Sequence, residues 1–306
     1  MKICLTTIEY QQNMEIQHQK IRNLVFQGGG VKGIAYVGAL EQLDHLKKLD
    51  AVERVAGTSA GAITAFLLAL RYTPKEIHEI VFNLNFSSFE DRWNPIRVLT
   101  RYGLYAGDVF LQVMSQKAAK KLHAKATFAD FKANGCRDLK VFSTDLFTHS
   151  IQEFSFEKTP NTIVAEAVRA SMSIPLFFKA WKFSNKIPND HLYVDGGVLL
   201  NFPIHAFSRN GLQIDYTLGL HLDDFSNQRK IDKIKNCHLL HYTKSLFDTM
   251  LMSQVVDFDH DPDEKQETVR IDDLGISATD FDLTTAQKKA LIQKGKEAVE
   301  KHFGQT

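Results

Sequence analysis

The sequence has 306 residues, of which 44% are hydrophobic and 24% are charged, and this composition is typical of a soluble globular protein. Its 37 basic and 36 acidic residues leave a net charge of +1, so the overall charge predicts no nucleic-acid partner and no general attraction to an anionic membrane. Its three cysteines are far apart and include no CxxC pair, which argues against a disulfide framework or a zinc site.

The N-terminal residues have too short an apolar run, and too many polar side chains, for a secretory signal. The longest clearly apolar stretch, residues 60–70, is about half of the ~20 residues that a membrane span requires. These features predict a cytoplasmic or otherwise soluble protein without a signal peptide, and they leave export by a signal-independent route open. The domain organisation predicted from the sequence is an N-terminal extension at 1–20 and a single domain at 21–306.

Strands and helices alternate along most of the chain. The strand "RNLVF" leads into the glycine-rich turn "QGGGVKG" and a helix, and the strand "VERVA" leads into "GTSAG" and the apolar helix "AITAFLLAL". Helical patterns follow Thr73-Pro74 and recur at 107–122, 162–170, 232–256 and from Thr284 to the C-terminus. Further strands are predicted at "LKVFSTDL", "IQEFSF", "HLYVDGG" and "IDYTLGLHL". This alternation predicts a mostly parallel sheet covered on both faces, which is a three-layer α/β/α fold.

The segment from 82 to 105 is rich in aromatic residues but has no sustained period, so it is predicted to be irregular. Two interpretations of its aromatic side chains remain open at this stage. They pack over the core, which is the more common case, or they form a cap that meets a lipid interface, where Trp and Tyr are favoured at headgroup depth. The aromatic residues concerned are Phe86, Phe89, Trp93, Tyr102 and Tyr105.

The turn "QGGGVKG" raises the alternative of a dinucleotide-binding protein. Gly28, Gly30 and Gly33 fit the fingerprint GxGxxG between a strand and a helix. Such a site also requires an acidic residue at the end of the second strand, where it binds the ribose hydroxyls. That position is occupied by Gly57-Thr58-Ser59, and a Walker A loop fails as well because Ile34 follows Gly33. A tight strand-to-helix turn explains the glycines about as well.

"GTSAG" fits the nucleophile elbow GxSxG, in which a serine occupies a strained turn between a strand and a helix. The flanking positions must be small, and Gly57, Ala60 and Gly61 satisfy this requirement. The helix that begins there directs its N-terminal N–H groups at the reacting centre. The pattern therefore favours Ser59 as a nucleophile, although GxSxG alone is a common motif.

The general base that would serve this serine is less obvious. A Ser–Asp–His triad requires a late histidine in a loop after a strand, and His221 is the best placed of several poor candidates: His205, His221, His238, His241, His260 and His302. Asp195 closes the strand "YVD" and precedes two glycines that permit a sharp turn. A carboxylate at a strand end can act directly as the base when burial raises its basicity. Most Asp-Gly pairs merely start a turn, so this role of Asp195 is a hypothesis.

Three motifs, in this order, resemble those of the patatin-like phospholipase family. "QGGGVKG" is similar to its glycine-rich oxyanion motif, "GTSAG" to its GxSxG elbow, and "DGG" at 195–197 to its aspartate motif. "RASMSIPLFF" at 169–178 and "NFP" at 201–203 resemble segments found before and after that aspartate. The resemblance covers roughly residues 22–205, which leaves 206–306 as a helical completion of the same domain.

The resemblance implies a patatin-like variant of the α/β-hydrolase fold and a lipid acyl hydrolase that needs no metal or cofactor. The implied substrate is a phospholipid, a lysophospholipid or another fatty acyl ester, with peripheral contact to a membrane. Ser59 is the implied nucleophile and Asp195 the implied general base, so that no histidine is required. The backbone N–H groups of the implied oxyanion hole are those of Gly28, Gly29 and Gly30. The implied supporting residues are Lys32, Gly33, Gly57, Gly61, Gly196 and Gly197.

A catalytically silent lipid-binding module is a second alternative to the hydrolase. It would keep its affinity for vesicles without any turnover.

The segment "DFDHDPDE" at 257–264 has aspartates at the spacing of a calcium loop. Pro262 and Thr268 stand where such a loop requires glycine and glutamate, so a solvated acidic loop is predicted.

The last helix presents four lysines that would suit contact with anionic lipid: Lys288, Lys289, Lys294 and Lys296. An ordinary surface helix is the simpler prediction.

Overall fold

The fold is described from a computed structural model. It covers residues 20–91, 93–94, 96–183, 185–209, 212–213, 216–225, 242, 245–251, 254 and 268–304. The N-terminal extension, except for Lys20, and the acidic segment 257–264 lie outside the described residues. So does most of the helix predicted at 232–256, although residues 242, 245–251 and 254 are helical.

A seven-stranded sheet forms the centre of the protein. Six strands follow one another across it: β11 (Thr268–Asp272), β10 (Thr217–Asp223), β1 (Asn23–Phe26), β2 (Arg54–Thr58), β4 (Asp138–Asp145) and β5 (Ser150–Phe154). The pairs from β11 to β4 are parallel, whereas β5 is antiparallel to β4. Two small sheets accompany it, β3 (Gly103–Tyr105) with β6 (Leu176–Phe178) and β8 (Ser208–Arg209) with β9 (Leu212–Gln213).

The seventh strand, β7 (Tyr193–Asp195), determines where the functional residues meet. β2 pairs with β4 up to Thr58 opposite Phe142, and β7 then pairs antiparallel with the next residues, with Asp195 opposite Ser143. Because β5 occupies the other edge of β4, β2 and β7 share one edge and point towards each other. The end of β7 therefore lies against the end of β2, where Ser59 follows.

The helices begin where the sequence supplies caps. They are α1 (Ala35–His45), α2 (Ala60–Ala69), α3 (Pro74–Phe82), α4 (Ile96–Arg101), α5 (Asp108–Lys121), α6 (Phe128–Ala133), α7 (Val164–Ser171) and α8 (Thr285–Gly304). Thr73 and Glu76 form a capping box at the start of α3, with Pro74 as its first residue. Thr284 receives the Gln287 N–H at the start of α8, as its position in the sequence predicts.

Helices lie on both sides of the sheet, which confirms the predicted α/β/α class. The hydrophobic clusters on the two faces of the sheet differ in size. Every residue of α2 is buried, as expected for a helix in which Thr64 is the only polar residue. The larger cluster includes Leu24 and Phe26 of β1 together with most of α1 and α2. Val25 and Ala56 face the other way, into a small cluster with Phe142. In the described part of the chain, no helix is both long enough and apolar enough to cross a membrane.

The segment from 82 to 105 is more regular than its sequence predicts. It contains a short 3-10 helix (Phe86–Phe89), α4 and β3, which are too short to produce a hydrophobic period. Its aromatic side chains divide into two groups. Phe86, Phe89 and Tyr105 are buried, and Phe89 packs edge-on against Phe110, so for these three the core interpretation is correct.

The other two aromatic residues of this segment are exposed. Trp93 is 59% exposed and Tyr102 is 54% exposed. The cap interpretation therefore survives only for the part of the segment around α4.

Three of the four lysines of α8 are engaged within the protein. Lys288 donates to the carbonyls of Phe82 and Leu84, at 2.9 and 2.8 Å. Lys294 pairs with Asp272 and with Glu297, and Lys296 pairs with Glu41 at 2.8 Å. These contacts fit the simpler prediction, in which α8 is an ordinary surface helix, and it packs on α1.

Candidate active site

Ser59 occupies the turn between β2 and α2, and its backbone is strained. Its φ of 52° lies in the left-handed region that residues with a side chain rarely adopt. Its N–H donates to Ser171 Oγ at 2.8 Å, and that hydroxyl donates to the Phe142 carbonyl at 2.5 Å. These bonds hold the turn in place while leaving the Ser59 hydroxyl available for another partner.

Small residues around Ser59 allow three chain segments to approach closely. A Cβ on Gly57 would overlap the Gly61 carbonyl group, and a Cβ on Gly61 would overlap the Phe26 carbonyl. A Cβ on Gly33 would stand 2.9 Å from the Ala60 Cβ. Gly57 and Gly61 are thus positions where β1, β2 and α2 touch through backbone atoms, whereas Gly33 brings the glycine-rich turn against the Ala60 side chain.

Asp195 is the partner of the Ser59 hydroxyl. Ser59 Oγ donates to Asp195 Oδ2 at 2.7 Å, and the other carboxylate oxygen, Oδ1, accepts the Gly197 N–H at 2.7 Å. The Asp195 N–H donates to the Ser173 carbonyl at 2.9 Å. Gly196 approaches the Phe142 carbonyl so closely that a side chain would overlap it. The serine and the aspartate therefore meet, with the two glycines after Asp195 shaping its loop.

Burial shifts the proton equilibrium of this pair. The Asp195 side chain is completely buried, and the loss of hydration raises its pKa to about 7. The Ser59 hydroxyl, the Gly197 N–H and the positive charge of Arg169 act in the opposite direction and lower the pKa of Asp195. An aspartate with this pKa can both accept and return a proton close to neutral pH.

Arg169 is a buried cation whose role the sequence does not reveal. Only 1% of it is exposed, and it donates to the Ala106 carbonyl at 2.9 Å, the Gly107 carbonyl at 3.1 Å and Ser173 Oγ at 2.8 Å. Burial lowers its pKa to about 10, while nearby aspartates including Asp195 act against this shift, so the guanidinium stays charged at neutral pH. Arg169 thus holds the residue whose carbonyl receives the Asp195 N–H.

The glycine loop lies beside the dyad, but one of its three predicted N–H donors is already occupied. Gly28 N–H donates to the Asn201 carbonyl at 2.9 Å, so it does not face a substrate in this arrangement. Gly30 has a φ of +56°, and its Cα packs against the Ala278 carbonyl, which only glycine permits. Of the three N–H groups predicted to form the oxyanion hole, only those of Gly29 and Gly30 therefore remain candidates.

Asn201 and Gln254 connect the glycine loop to the aspartate loop. Asn201 Nδ2 donates to the Gly28 carbonyl at 3.2 Å, so Asn201 pairs with Gly28 in both directions. Gln254 Oε1 accepts the Asn201 N–H and Gln254 Nε2 donates to the Gly197 carbonyl, both at 2.7 Å. Asn201 belongs to the "NFP" motif that the sequence singles out without a role. Gln254 carries no sequence signal at all, because its importance depends on contacts across 53 and 57 positions of chain.

The basic residue of the glycine motif has a structural partner. Lys32 Nζ pairs with Asp273 Oδ2 at 2.6 Å, and both side chains are largely buried. The ion pair ties the glycine turn to the residue that follows β11. Lys32 is therefore a supporting residue of the loop.

His221, the best-placed histidine in the sequence, belongs to a different cluster. Its Nε2 lies 2.9 Å from Gln27 Nε2, and its ring packs edge-on against Phe202. Burial, with smaller contributions from Arg270 and Lys32, lowers its pKa to about 3, so the ring is neutral at pH 7. Ser59 is bonded to Asp195 instead.

The fold and the site together define a three-layer α/β protein with a serine–aspartate pair at the carboxyl edge of its parallel strands. The family model described as patatin-like phospholipase matches residues 24–208. This chain belongs to the patatin-like phospholipase family. Its predicted membership and its predicted fold variant are thereby confirmed, and lipid ester hydrolysis is the activity that the family supports.

Similar proteins agree with this assignment. The uncharacterized protein YqhO of Bacillus subtilis (strain 168) is 36% identical over 299 aligned positions, and the match covers 90% of this chain and 96% of that protein. The probable lipid hydrolase 463L of Invertebrate iridescent virus 6 is 27% identical over 195 residues, 60% of this chain and 62% of the viral protein. The crystal structure of VipD from Legionella pneumophila matches with a TM-score of 0.67 at 17% identity, covering 93% of this chain and 67% of that one.

The dinucleotide-binding alternative gains nothing from the geometry. The close approaches that Gly29 and Gly30 permit are to the chain's own Leu222 side chain and Ala278 carbonyl. The end of the second strand carries Ser59 where such a site requires an acid. Family membership points to the hydrolase.

Proposed function

We propose that this protein is a phospholipase A or lysophospholipase-type esterase that uses a Ser59–Asp195 dyad. The observation that carries the proposal is the 2.7 Å hydrogen bond from the Ser59 hydroxyl to a fully buried aspartate. A serine on a strained strand-to-helix turn, with a base in direct contact, has the two features that activate a hydroxyl as a nucleophile. No histidine takes part in this proposal.

In the acylation step, Ser59 Oγ attacks the carbonyl carbon of the ester while its proton moves to Asp195 Oδ2. The carbonyl oxygen becomes an oxyanion, which the N–H groups of Gly29 and Gly30 and the N-terminal end of α2 stabilise. The C–O bond of the ester then breaks, and the proton on Asp195 passes to the departing alcohol. An acyl group remains on Ser59.

In the deacylation step, water attacks the acyl-serine and gives its proton to Asp195. The second tetrahedral intermediate breaks the bond to Ser59 Oγ, which regains the proton from Asp195. The products are a fatty acid and free enzyme, and the aspartate has acted twice as base and twice as acid. A pKa near 7 suits this exchange because neither protonation state is strongly disfavoured at neutral pH.

Labelling with a fluorophosphonate ester probe tests the activated serine. We expect wild type to be labelled, and the variants Ser59→Ala and Asp195→Asn to be labelled at least about a hundredfold more slowly. Ser150→Ala is a matched serine control that should retain labelling, because Ser150 is exposed and its hydroxyl bonds to Thr148 Oγ1.

Three results would contradict the proposal. Undiminished labelling of Ser59→Ala would assign the reactive group to another residue. Undiminished labelling of Asp195→Asn would show that the aspartate is not the base. Folded wild-type protein that binds phospholipid vesicles but resists the probe and releases no fatty acid would favour the silent lipid-binding module.

A further inference from the structure

Gln27 links β1 to the glycine loop, and both of its backbone polar groups have partners. It follows Phe26, the last residue of β1, and is only 4% exposed. Its N–H donates to the Leu220 carbonyl at 3.1 Å, and its carbonyl accepts the Tyr36 hydroxyl at 2.7 Å. The backbone at the start of the glycine loop is therefore held from β10 on one side and from α1 on the other.

The side-chain amide of Gln27 determines which nitrogen of His221 carries the proton. The Leu222 N–H donates to Gln27 Oε1 at 2.8 Å, and this bond fixes the orientation of the amide because an N–H needs an acceptor. Gln27 Nε2 therefore faces His221 Nε2, 2.9 Å away. An amide nitrogen can only donate, so His221 Nε2 accepts and the ring proton lies on Nδ1. Burial lowers the pKa of His221 to about 3, which keeps the ring neutral, as an acceptor must be.

These bonds belong to a closed chain of contacts at the base of the glycine loop, formed by Gln27, His221, Phe202, Asn201 and Gly28. We call it the Gln27 network. The ring of His221 packs edge-on against Phe202, with the ring centroids 5.2 Å apart. Phe202 follows Asn201, which pairs with Gly28 in both directions. Gly28 follows Gln27, so the network returns to its first residue. The position of Gly28 therefore depends on the bond between Gln27 and His221.

The amide of Gln27 also acts on Gly29, whose N–H is a candidate donor of the oxyanion hole. A Cβ on Gly29 would lie 2.3 Å from Leu222 Cδ1, so the Leu222 side chain packs directly against the Gly29 backbone. The backbone of Leu222 is in turn bonded to Gln27. An oxyanion donor must stand about 2.7–3.1 Å from the developing charge, so even a small shift of this loop reduces its effect.

We propose that Gln27 is a positioning residue of the oxyanion hole, whose amide, bonded to His221 and Leu222, aligns the N–H groups of the glycine loop with the transition state. This inference rests on the proposed function, because it requires an oxyanion to form beside the loop. Gln27 touches no reacting atom and acts through the residues of its network. It therefore contributes to the chemical step more than to the binding of the ester.

Gln27→Met tests this role, because methionine is similar in size to glutamine but makes neither amide bond. We expect kcat for p-nitrophenyl butyrate to fall on the order of thirtyfold with little change in KM, which is the signature of an interaction made only in the transition state. His221→Phe keeps a flat ring against Phe202 but removes the acceptor for Gln27 Nε2, so its kcat should fall in the same way.

A butyl trifluoromethyl ketone reports on the oxyanion hole itself. Ser59 Oγ adds to its carbonyl carbon, the serine proton passes to Asp195, and the ketone oxygen becomes an oxyanion. Its inhibition constant should rise in Gln27→Met by about the same factor as kcat falls.

Asn23→Leu is the matched control. Asn23 is a buried amide at the other end of β1, and its Nδ2 donates to Thr217 Oγ1 of β10 at 2.9 Å. It joins the same two strands as Gln27 but lies far from the glycine loop. Its replacement should lower the free energy of unfolding, measured in urea, without changing kcat or the inhibition constant of the ketone.

The imidazole ¹⁵N chemical shifts provide a readout that does not depend on activity, since they distinguish a ring protonated on Nδ1 from one protonated on Nε2. The signals of His221 are those that disappear in His221→Phe. We expect the wild-type ring to carry its proton on Nδ1. In Gln27→Glu a carboxylate oxygen replaces the amide nitrogen, so the proton should move to Nε2.

A wild-type His221 ring protonated on Nε2 would overturn the proposal, because Gln27 could then not donate to it. Unchanged kcat in whichever of Gln27→Met and His221→Phe is folded would overturn it as well. So would a fall in kcat that Asn23→Leu shares. A wild type inactive on p-nitrophenyl butyrate would contradict the proposed function instead. Activity of the wild type together with unchanged kcat in these variants would contradict the role of Gln27 alone.

Discussion

The surroundings of the dyad and the exposed segment around α4 use the same kinds of residue in opposite ways. Around Ser59 and Asp195 the backbone groups are tied, glycines bring strands into contact, and a charged arginine is buried. Around α4 the backbone is tied as well, but Trp93 and Leu99 are left in water. The difference teaches that the chain fixes the position of its reacting atoms by burial, and fixes the position of the exposed residues around α4 by backbone hydrogen bonds together with the packing of Val98 on the core.

Asp195→Asn should have the largest effect, and in opposite directions for activity and stability. We expect ester hydrolysis to fall about ten-thousandfold, because an amide cannot take the serine proton. Burial raises the folded-state pKa of Asp195 to about 7, so the stability that its protonated form provides is fully present below about pH 4 and is lost as the pH rises through about 7.

Because the amide does not titrate, the Asn variant should exceed wild type in free energy of unfolding above about pH 7. The expected gain is on the order of 3 kcal/mol and should vanish below about pH 4. Urea denaturation at both pH values measures it. A variant less stable than wild type at high pH would mean that Asp195 is not under the burial penalty described.

Phe89→Ser and Leu99→Ser compare a buried with an exposed apolar residue of the same segment. Phe89 is 1% exposed, and its replacement should cost on the order of 4 kcal/mol of unfolding free energy. Leu99 is 82% exposed, and its replacement should stay within about 0.5 kcal/mol. Thermal and urea unfolding measure both. A large loss with Leu99→Ser would mean that the Leu99 side chain itself packs against the protein in solution.

Arg169→Leu should cost about 3 kcal/mol, because the Ala106 and Gly107 carbonyls and the Ser173 hydroxyl lose a donor inside the protein. Since the Arg169 charge lowers the pKa of Asp195, the acid limb of the pH–rate profile should also move to higher pH. Arg169→Lys keeps the positive charge but loses the planar guanidinium that makes several hydrogen bonds. It should therefore lose stability, while the acid limb of its pH–rate profile should move less than that of Arg169→Leu. If folded Arg169→Leu keeps the same acid limb as wild type, the Arg169 charge does not affect the pKa of Asp195.

Gln254→Ala should have the smallest effect on catalysis, about a tenfold loss of kcat/KM, because the Gly197 and Asn201 loops lose their bridge. Gln254→Glu keeps the oxygen that accepts the Asn201 N–H, so its kcat/KM should lie between those of wild type and Gln254→Ala. Gln293→Ala, which removes a surface glutamine bonded to Glu297, is the control. Equal kcat/KM values for wild type, Gln254→Ala and Gln254→Glu would limit Gln254 to a packing role.

The sequence predicts the parts of this site that depend on local geometry. A strand-to-helix turn with small flanking residues identifies Ser59, and a strand end before two glycines identifies Asp195 as a candidate, because both signals span only a few residues. The class of the fold follows equally well from the alternation of strands and helices. The oxyanion role of Gly29 and Gly30 stays a prediction.

What the sequence could not predict depends on contacts between distant segments. The Gly28 N–H donates to the carbonyl of Asn201, 173 positions away in sequence, and Gln254 bonds to Asn201 and Gly197, 53 and 57 positions away. Composition does not separate the buried from the exposed aromatic residues of 82–105, since Phe89 is 1% exposed and Trp93, four residues later, is 59% exposed. The short elements α4 and β3 are likewise set by tertiary hydrogen bonds.

The pH dependence of kcat/KM for a soluble ester such as p-nitrophenyl butyrate tests the central claim most directly. Free Asp195 must be deprotonated to accept the Ser59 proton, so the rate should rise with pH through an apparent pKa of about 7 and then level off. A soluble ester avoids any contribution from the binding of vesicles. A rate that stays constant from about pH 5 to pH 9 would contradict the assignment of buried Asp195 as the base.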